Sequence, residues 1–246
     1  MSAEVLAFMA ITFTVAYGVF GMTGFGAAMI AVPLLVQNLP LSFVVPMVVL
    51  LDLVCTSFVG ARNWRSVATD ELRRLLPALF LGVAIGATSL AGLGPKWPLV
   101  FLGVFVIAVA VYNALPKAGQ VKPISAWWSA PLGVAGGIFS ALFGTGGPIY
   151  TIYLARRVFD PNRFRATISV IILASGITRA LSFGAAGLYG QPDLFLSAAG
   201  ALPFCLLGLF AGSKLRHRVA PDRMRQALLL LLVCGGAGAI YRGWSL

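Results

Sequence analysis

Residues 21–35 read GMTGFGAAMIAVPLL, and residues 144–154 read GTGGPIYTIYL. In each stretch a cluster of glycines precedes a fresh apolar segment, and in the second Pro148 stands where a first helical turn accepts proline. The pattern is that of a helix that stops and starts again. A restarted helix exposes unpaired N–H groups and a partial positive charge, which suit an anion. Gly24 to Gly26, with Phe25 between them, and Gly146 with Gly147 are therefore candidate anion cradles, with the Thr23 and Thr145 hydroxyls as further donors. The same glycines also suit plain kinking or close packing of helices, and that reading stands beside the first.

The surroundings of these stretches identify the solvent. The 246 residues are 59% hydrophobic and 10% charged, well below the roughly 25% charge of a soluble domain. Seven further apolar stretches approach the length of about 20 helical residues that a bilayer core requires. They are Leu41 to Gly60, Leu75 to Gly94, Pro98 to Leu115, Ala126 to Phe143, Ala166 to Tyr189, Leu194 to Ser213 and Met224 to Ile240. The run from Val5 to Val36 is longer than one span needs. It carries Glu4 in place of a basic signal-peptide start, and it reads as mature structure.

The chain repeats itself. Pro77, Gly82, Gly86 and Pro95 recur 126 residues later as Pro203, Gly208, Gly212 and Pro221. The two halves are residues 1–116 and 123–246, joined by a polar connector, 117–122, within one integral membrane domain. Small residues four apart are what helix packing in lipid uses, so Gly82, Gly86, Gly208 and Gly212 read as packing positions.

Net charge refines the topology. Eighteen Lys and Arg against seven Asp and Glu give +11, but fifteen of the basic residues lie in loops between spans. Eight plain crossings would divide the basic residues 7 to 10 across the membrane, against the positive-inside rule. If both glycine-containing runs enter and return to the same side, all fifteen share one face, leaving Lys96 and Arg242 on the other. That arrangement has three full crossings per half and hence an inverted repeat. The expected fold is an all-α polytopic membrane protein, a two-fold inverted repeat with a glycine-broken first helix, re-entrant or discontinuous, in each half. Eight plain spans is the alternative.

Two ionisable residues fall near the middle of spans, Asp52 and Arg179. Each costs at least about 2.5 to 3.5 kcal/mol there and needs compensation. The repeat offset maps Asp52 to within about a turn of Arg179, so the two are expected to face each other. They form either a structural ion pair or a working one, in which Arg179 is the counter-charge for an anionic substrate and Asp52 a protonatable coupling group. Asn63 and Trp64 are candidates to line the pathway, though Trp64 between Arg62 and Arg65 also suits an interfacial anchor. Cys55, Cys205 and Cys234 stand singly, and His217 is the one histidine, so no disulfide framework, metal site or cofactor is expected. Nor is there a nucleophile–base set, a metalloprotease motif or a phosphate loop, so an enzyme is not expected.

The paired motifs GMTGFGAAMIAVPLL and LFGTGGPIYTIYL, each opening one half, resemble the TauE/SafE family of sulfite exporters over nearly the whole chain. The resemblance implies a secondary transporter, an exporter of a small sulfur-containing anion such as sulfite or an organosulfonate, in the bacterial inner membrane. The family pattern Gly-x-Gly-Gly-Gly is altered here, with Ala27 and Ala28 following Gly26, and Pro148 follows Gly147 directly. Tyr150 and Tyr153 then offer hydroxyls one turn on, or simple packing. The expected partners are a small anion and the bilayer, with a homodimer compatible and nucleic acid not expected. A passive anion channel and a non-transporting scaffold subunit are the competing functions.

Overall fold

The computed structural model describes the chain except residues 1–2, 24–25, 61–65, 93, 95, 115–122, 216–220 and 246. Among the described residues the protein is all-helical. Its helices are α1 (Ala3–Thr23), α2 (Ala27–Leu35), α3 (Leu41–Gly60), α4 (Thr69–Gly92), α5 (Lys96–Ala114), α6 (Ser129–Phe143), α7 (Gly147–Ala155), α8 (Pro161–Ala185), α9 (Leu194–Leu215) and α10 (Pro221–Ser245). The connector 117–122 lies outside the described residues, as do Asn63, Trp64 and His217.

Among the described residues six helices are long and apolar enough to cross a membrane: α1, α4, α6 with the 3-10 turn at Ala126–Trp128 before it, α8, α9 and α10. Leu81, Leu181, Leu196, Leu207 and Leu230 are all more than half exposed, as befits side chains whose solvent is lipid. Pro46, Pro77 and Pro203 sit inside helices. Membrane helices tolerate this because neighbouring groups satisfy the freed backbone. Helix α8 opens on Pro161, with the Asp160 carboxylate accepting the Asn162 and Arg163 N–H groups at 2.9 and 2.7 Å.

The chain forms two compact units, each drawing on both sequence halves. Unit 1 comprises residues 1–51, 93–116 and 189–246, and unit 2 comprises 52–92 and 117–188, so α3 contributes to both. In unit 1, α1 packs along α9, and α5 along α10. A Cβ at Gly208 or Gly212 of α9 would fall within 3.0 Å of α1 backbone at Thr14 or Gly18. In unit 2, α4 packs along α6, and a Cβ at Gly82 or Gly86 would fall as close to α6 backbone at Val134 or Ile138. The repeated glycines thus occupy close helix crossings, where no side chain fits.

Candidate functional site

The local structure of unit 2 begins at the end of α6. Gly144 takes a left-handed φ of 69° and donates its N–H to Ser140 O at 2.8 Å, while the Thr145 N–H reaches Phe139 O at 3.4 Å. The Gly144 bond, running four residues back from a residue in the left-handed region, is an αL cap, which favours a residue without Cβ at the turn. Two residues later α7 begins, with Gly146 as N-cap and Pro148 in its first turn. Nothing lies within 4 Å of a Cβ position at Gly147, so the start of α7 faces open space. The first N–H groups of a helix have no partner within it.

Tyr150, on α7, is 1% exposed. Its ring lies against two glycines: a Cβ at Gly136 would come 2.8 Å from Cδ1, and one at Gly146 3.0 Å from Cε2. The Tyr150 hydroxyl and Thr145 Oγ1 are buried and make no hydrogen bond among the described residues. Ser140, Ser175 and Arg179 are the polar groups facing that hydroxyl. The Ser140 and Ser175 hydroxyls are joined to each other at 2.7 Å.

Arg179, 3% exposed on α8, completes the cluster. Its Nε donates to Ser175 O at 3.4 Å and Nη1 to Ser140 O at 3.3 Å, and Nη2 lies 3.9 Å from Asp52 Oδ2 on α3. Charge-assisted contacts of full strength run at about 2.7–2.9 Å. The guanidinium is therefore held in position by long contacts while offering five N–H donors in a planar fork. The sequence-level pairing of Asp52 with Arg179 is present, and Thr145, Gly146, Gly147 and Tyr150 belong to the same unit.

The first-half counterpart lies in unit 1. Gly26, with φ 96°, is the N-cap of α2, and a Cβ there would meet nothing within 4 Å. Thr23 ends α1, while its side chain, Gly24 and Phe25 lie outside the described residues.

Ser140, Ser175 and Glu71 were not singled out by sequence reasoning. The serines sit in stripes of small residues that read as helix packing. Glu71 stands six residues before Pro77 and ahead of the apolar stretch, in what reads as the polar end of a span. Helix α4 begins at Thr69, and Glu71 is only 7% exposed. Among the described residues no group of His, Cys, Asp and Glu is placed to hold a metal ion.

Comparison with known proteins agrees with this architecture. The chain is 29% identical over 200 residues to a probable inner membrane transporter protein TsaS of Comamonas testosteroni, covering 80% of this chain and 83% of the relative. It is 24% identical over 225 residues to a probable sulfite/organosulfonate exporter TauE of Cupriavidus necator, covering 88% and 86%. No solved structure matches it. With six candidate spans and an inner membrane transporter as a relative, the chain is a multi-pass protein of the inner (plasma) membrane. The model of the sulfite exporter TauE/SafE family matches residues 8–239, so the chain belongs to that family and is a membrane transporter, not an enzyme.

Proposed function

We propose that this protein is a secondary transporter that exports a small sulfur-containing anion, sulfite or an organosulfonate, and that the anion binds in unit 2 beside Arg179. The observation that carries this reading is a pair of buried hydroxyls without partners, Thr145 Oγ1 just ahead of α7 and Tyr150 OH on it, the second of which faces a buried, loosely held guanidinium. An unpaired buried hydroxyl costs about 1–3 kcal/mol, a cost that a bound acceptor removes. A sulfite or sulfonate head presents three oxygens, which match one hydroxyl from Thr145, one from Tyr150 and the fork of Arg179. The N–H groups at the start of α7 add positive partial charge. The name of the Cupriavidus necator relative, a probable sulfite/organosulfonate exporter, supports the substrate class.

Asp52 balances Arg179 while no anion is bound. Protonation of Asp52 would release the guanidinium for substrate, so Asp52 is proposed as the coupling group. Gly26 and the residues before it, Thr23 to Phe25, are proposed as the first-half counterpart of the α7 start. The like placement of Gly82 and Gly208, each against the first long helix of the other sequence half, supports a duplicated fold with halves 1–116 and 123–246. We read it as an inverted repeat with a broken first helix in each half, suited to alternating access.

The test is uptake of radiolabelled sulfite and taurine into vesicles reconstituted with purified protein. Arg179→Gln, paired with Asp52→Asn so that no lone charge is left buried, is expected to abolish saturable uptake in protein that still elutes as one species. Tyr150→Phe and Thr145→Val are each expected to raise KM about tenfold. Unchanged kinetics in the Arg179 variant would overturn the site, and flux that neither saturates nor accumulates against a gradient would mark a passive channel.

A further inference from the structure

One turn beyond Tyr150, helix α7 carries a second buried tyrosine with a different environment. Tyr153 is fully buried, and its hydroxyl donates to Glu71 Oε2 at 2.5 Å. Arg157, just past the end of α7, donates to Glu71 Oε1 from Nε at 3.0 Å and from Nη2 at 2.7 Å. Its Nη1 donates to Ile124 O, ahead of α6, at 3.1 Å. Arg74 adds a weaker contact to Oε1 at 3.3 Å, and Ser129 faces the Tyr153 hydroxyl. A single carboxylate on α4 thereby grips α7 in its last turn and just beyond its end, and through Arg157 reaches the chain entering α6.

We infer that Glu71 is the positioning residue of the anion site: through Tyr153 and Arg157 it fixes helix α7, and so fixes where Tyr150 presents its hydroxyl. This rests on the reading of Tyr150 as a substrate ligand. Helix α7 is nine residues long, a length at which a helix has little stability of its own. It follows a glycine turn on one side and an irregular segment on the other, so its position depends on what it is fastened to. Helix α4, the other end of the fastening, is itself clamped along α6 by the close crossings at Gly82 and Gly86. Tyr150 and Tyr153 lie three residues apart and therefore on neighbouring positions of one helical face. A small shift of α7 moves both. Charge-assisted hydrogen bonds to Glu71 are the strong kind and are directional, which suits them to setting a register.

The experiment measures sulfite uptake in vesicles for Tyr153→Phe, Glu71→Gln and Arg157→Lys, each alone and combined with Tyr150→Phe. In parallel, the rate at which a water-soluble methanethiosulfonate labels Ile149→Cys is followed in a background with Cys55, Cys205 and Cys234 replaced by alanine. Ile149 is buried on α7, so its labelling reports loosening of that helix. Tyr153→Phe keeps the ring and removes only the hydroxyl, so it retains the packing if the larger changes impair folding. The expected result is a KM raised about tenfold with Vmax nearly kept, and faster labelling. The KM effect should vanish where Tyr150 is already phenylalanine. Arg157→Lys, which keeps the charge but not the two-nitrogen contact, should fall between the wild type and Glu71→Gln.

Unchanged labelling in all three variants would overturn the inference. So would a KM effect of the same size with or without the Tyr150 hydroxyl, since that would make the cluster a general support. If the Arg179 variant also transports normally, the site reading itself falls, and the labelling rate alone decides whether Glu71 holds α7.

Discussion

Gly136→Ala should disable the site without touching a polar group. The Tyr150 ring occupies the space a side chain at position 136 would need: an added Cβ would lie 2.8 Å from Cδ1 and 2.9 Å from Cζ, and nearer still to Cε1. Carbon atoms pack at about 3.5–4.0 Å, so the ring must retreat by roughly 1 Å. It cannot swing freely, because Gly146 lies against its other edge and the residue is 1% exposed. Overpacking of this kind costs about 1–3 kcal/mol. A retreat of that size also carries the hydroxyl out of hydrogen-bonding reach of a bound oxyanion. The assay is a double-mutant cycle on thermal inactivation in detergent, read by size-exclusion chromatography, with uptake measured on the same preparations. Gly136→Ala alone should lower the midpoint and reduce uptake at least tenfold, about 1.4 kcal/mol. In a Tyr150→Val background the ring is gone, and the same alanine should cost almost nothing in stability, leaving a coupling of about 1–3 kcal/mol. Equal costs in the two backgrounds would refute the reasoning, because the penalty would then arise from something other than the Tyr150 ring.

Three other changes test other levels of the structure. Gly82→Leu puts a side chain against the Val134 backbone, within 3.0 Å already at Cβ, and should abolish folded protein on chromatography, whereas Gly200→Ala, with nothing within 4 Å, should leave yield and uptake unchanged. Asp160→Ala removes the cap that accepts two N–H groups at the start of α8 and should cost about 1 kcal/mol of stability, measured as a lower inactivation midpoint with KM unaltered. Asp52→Asn should remove the pH dependence of the uptake rate, measured in vesicles clamped at each pH, and a dependence that survives intact would exclude Asp52 as the coupling group.

Different features of this chain were legible to different depths, and the reason is physical in each case. Hydropathy marks helices because every backbone polar group in lipid must be paired internally, so the apolar stretches around α4, α8, α9 and α10 announce themselves. The pairing of Asp52 with Arg179 was readable because a lone charge at mid-span demands a partner, and the repeat offset left few places for one. Glycine spacing likewise marks a surface where another backbone comes close. It does not name the partner: nothing at Gly82 specifies Val134, or at Gly208 specifies Thr14, because apolar helices in lipid carry no complementary charge pattern to select a neighbour.

Glu71 shows what local pattern withholds. An acidic residue in the first turn of a helix is favoured there by the helix dipole alone, so its presence calls for no further explanation. Only the approach of Tyr153 and Arg157, separated from it by 82 and 86 residues, turns it into a buried ligand of three donors. Ser140 and Ser175 are hidden in the same way, since a serine in a small-residue stripe serves packing equally well. Residues that must compensate a cost, such as a mid-membrane charge, betray their partners in sequence. Residues whose local position is already favourable do not, and in this molecule the groups that position the site are of that second kind.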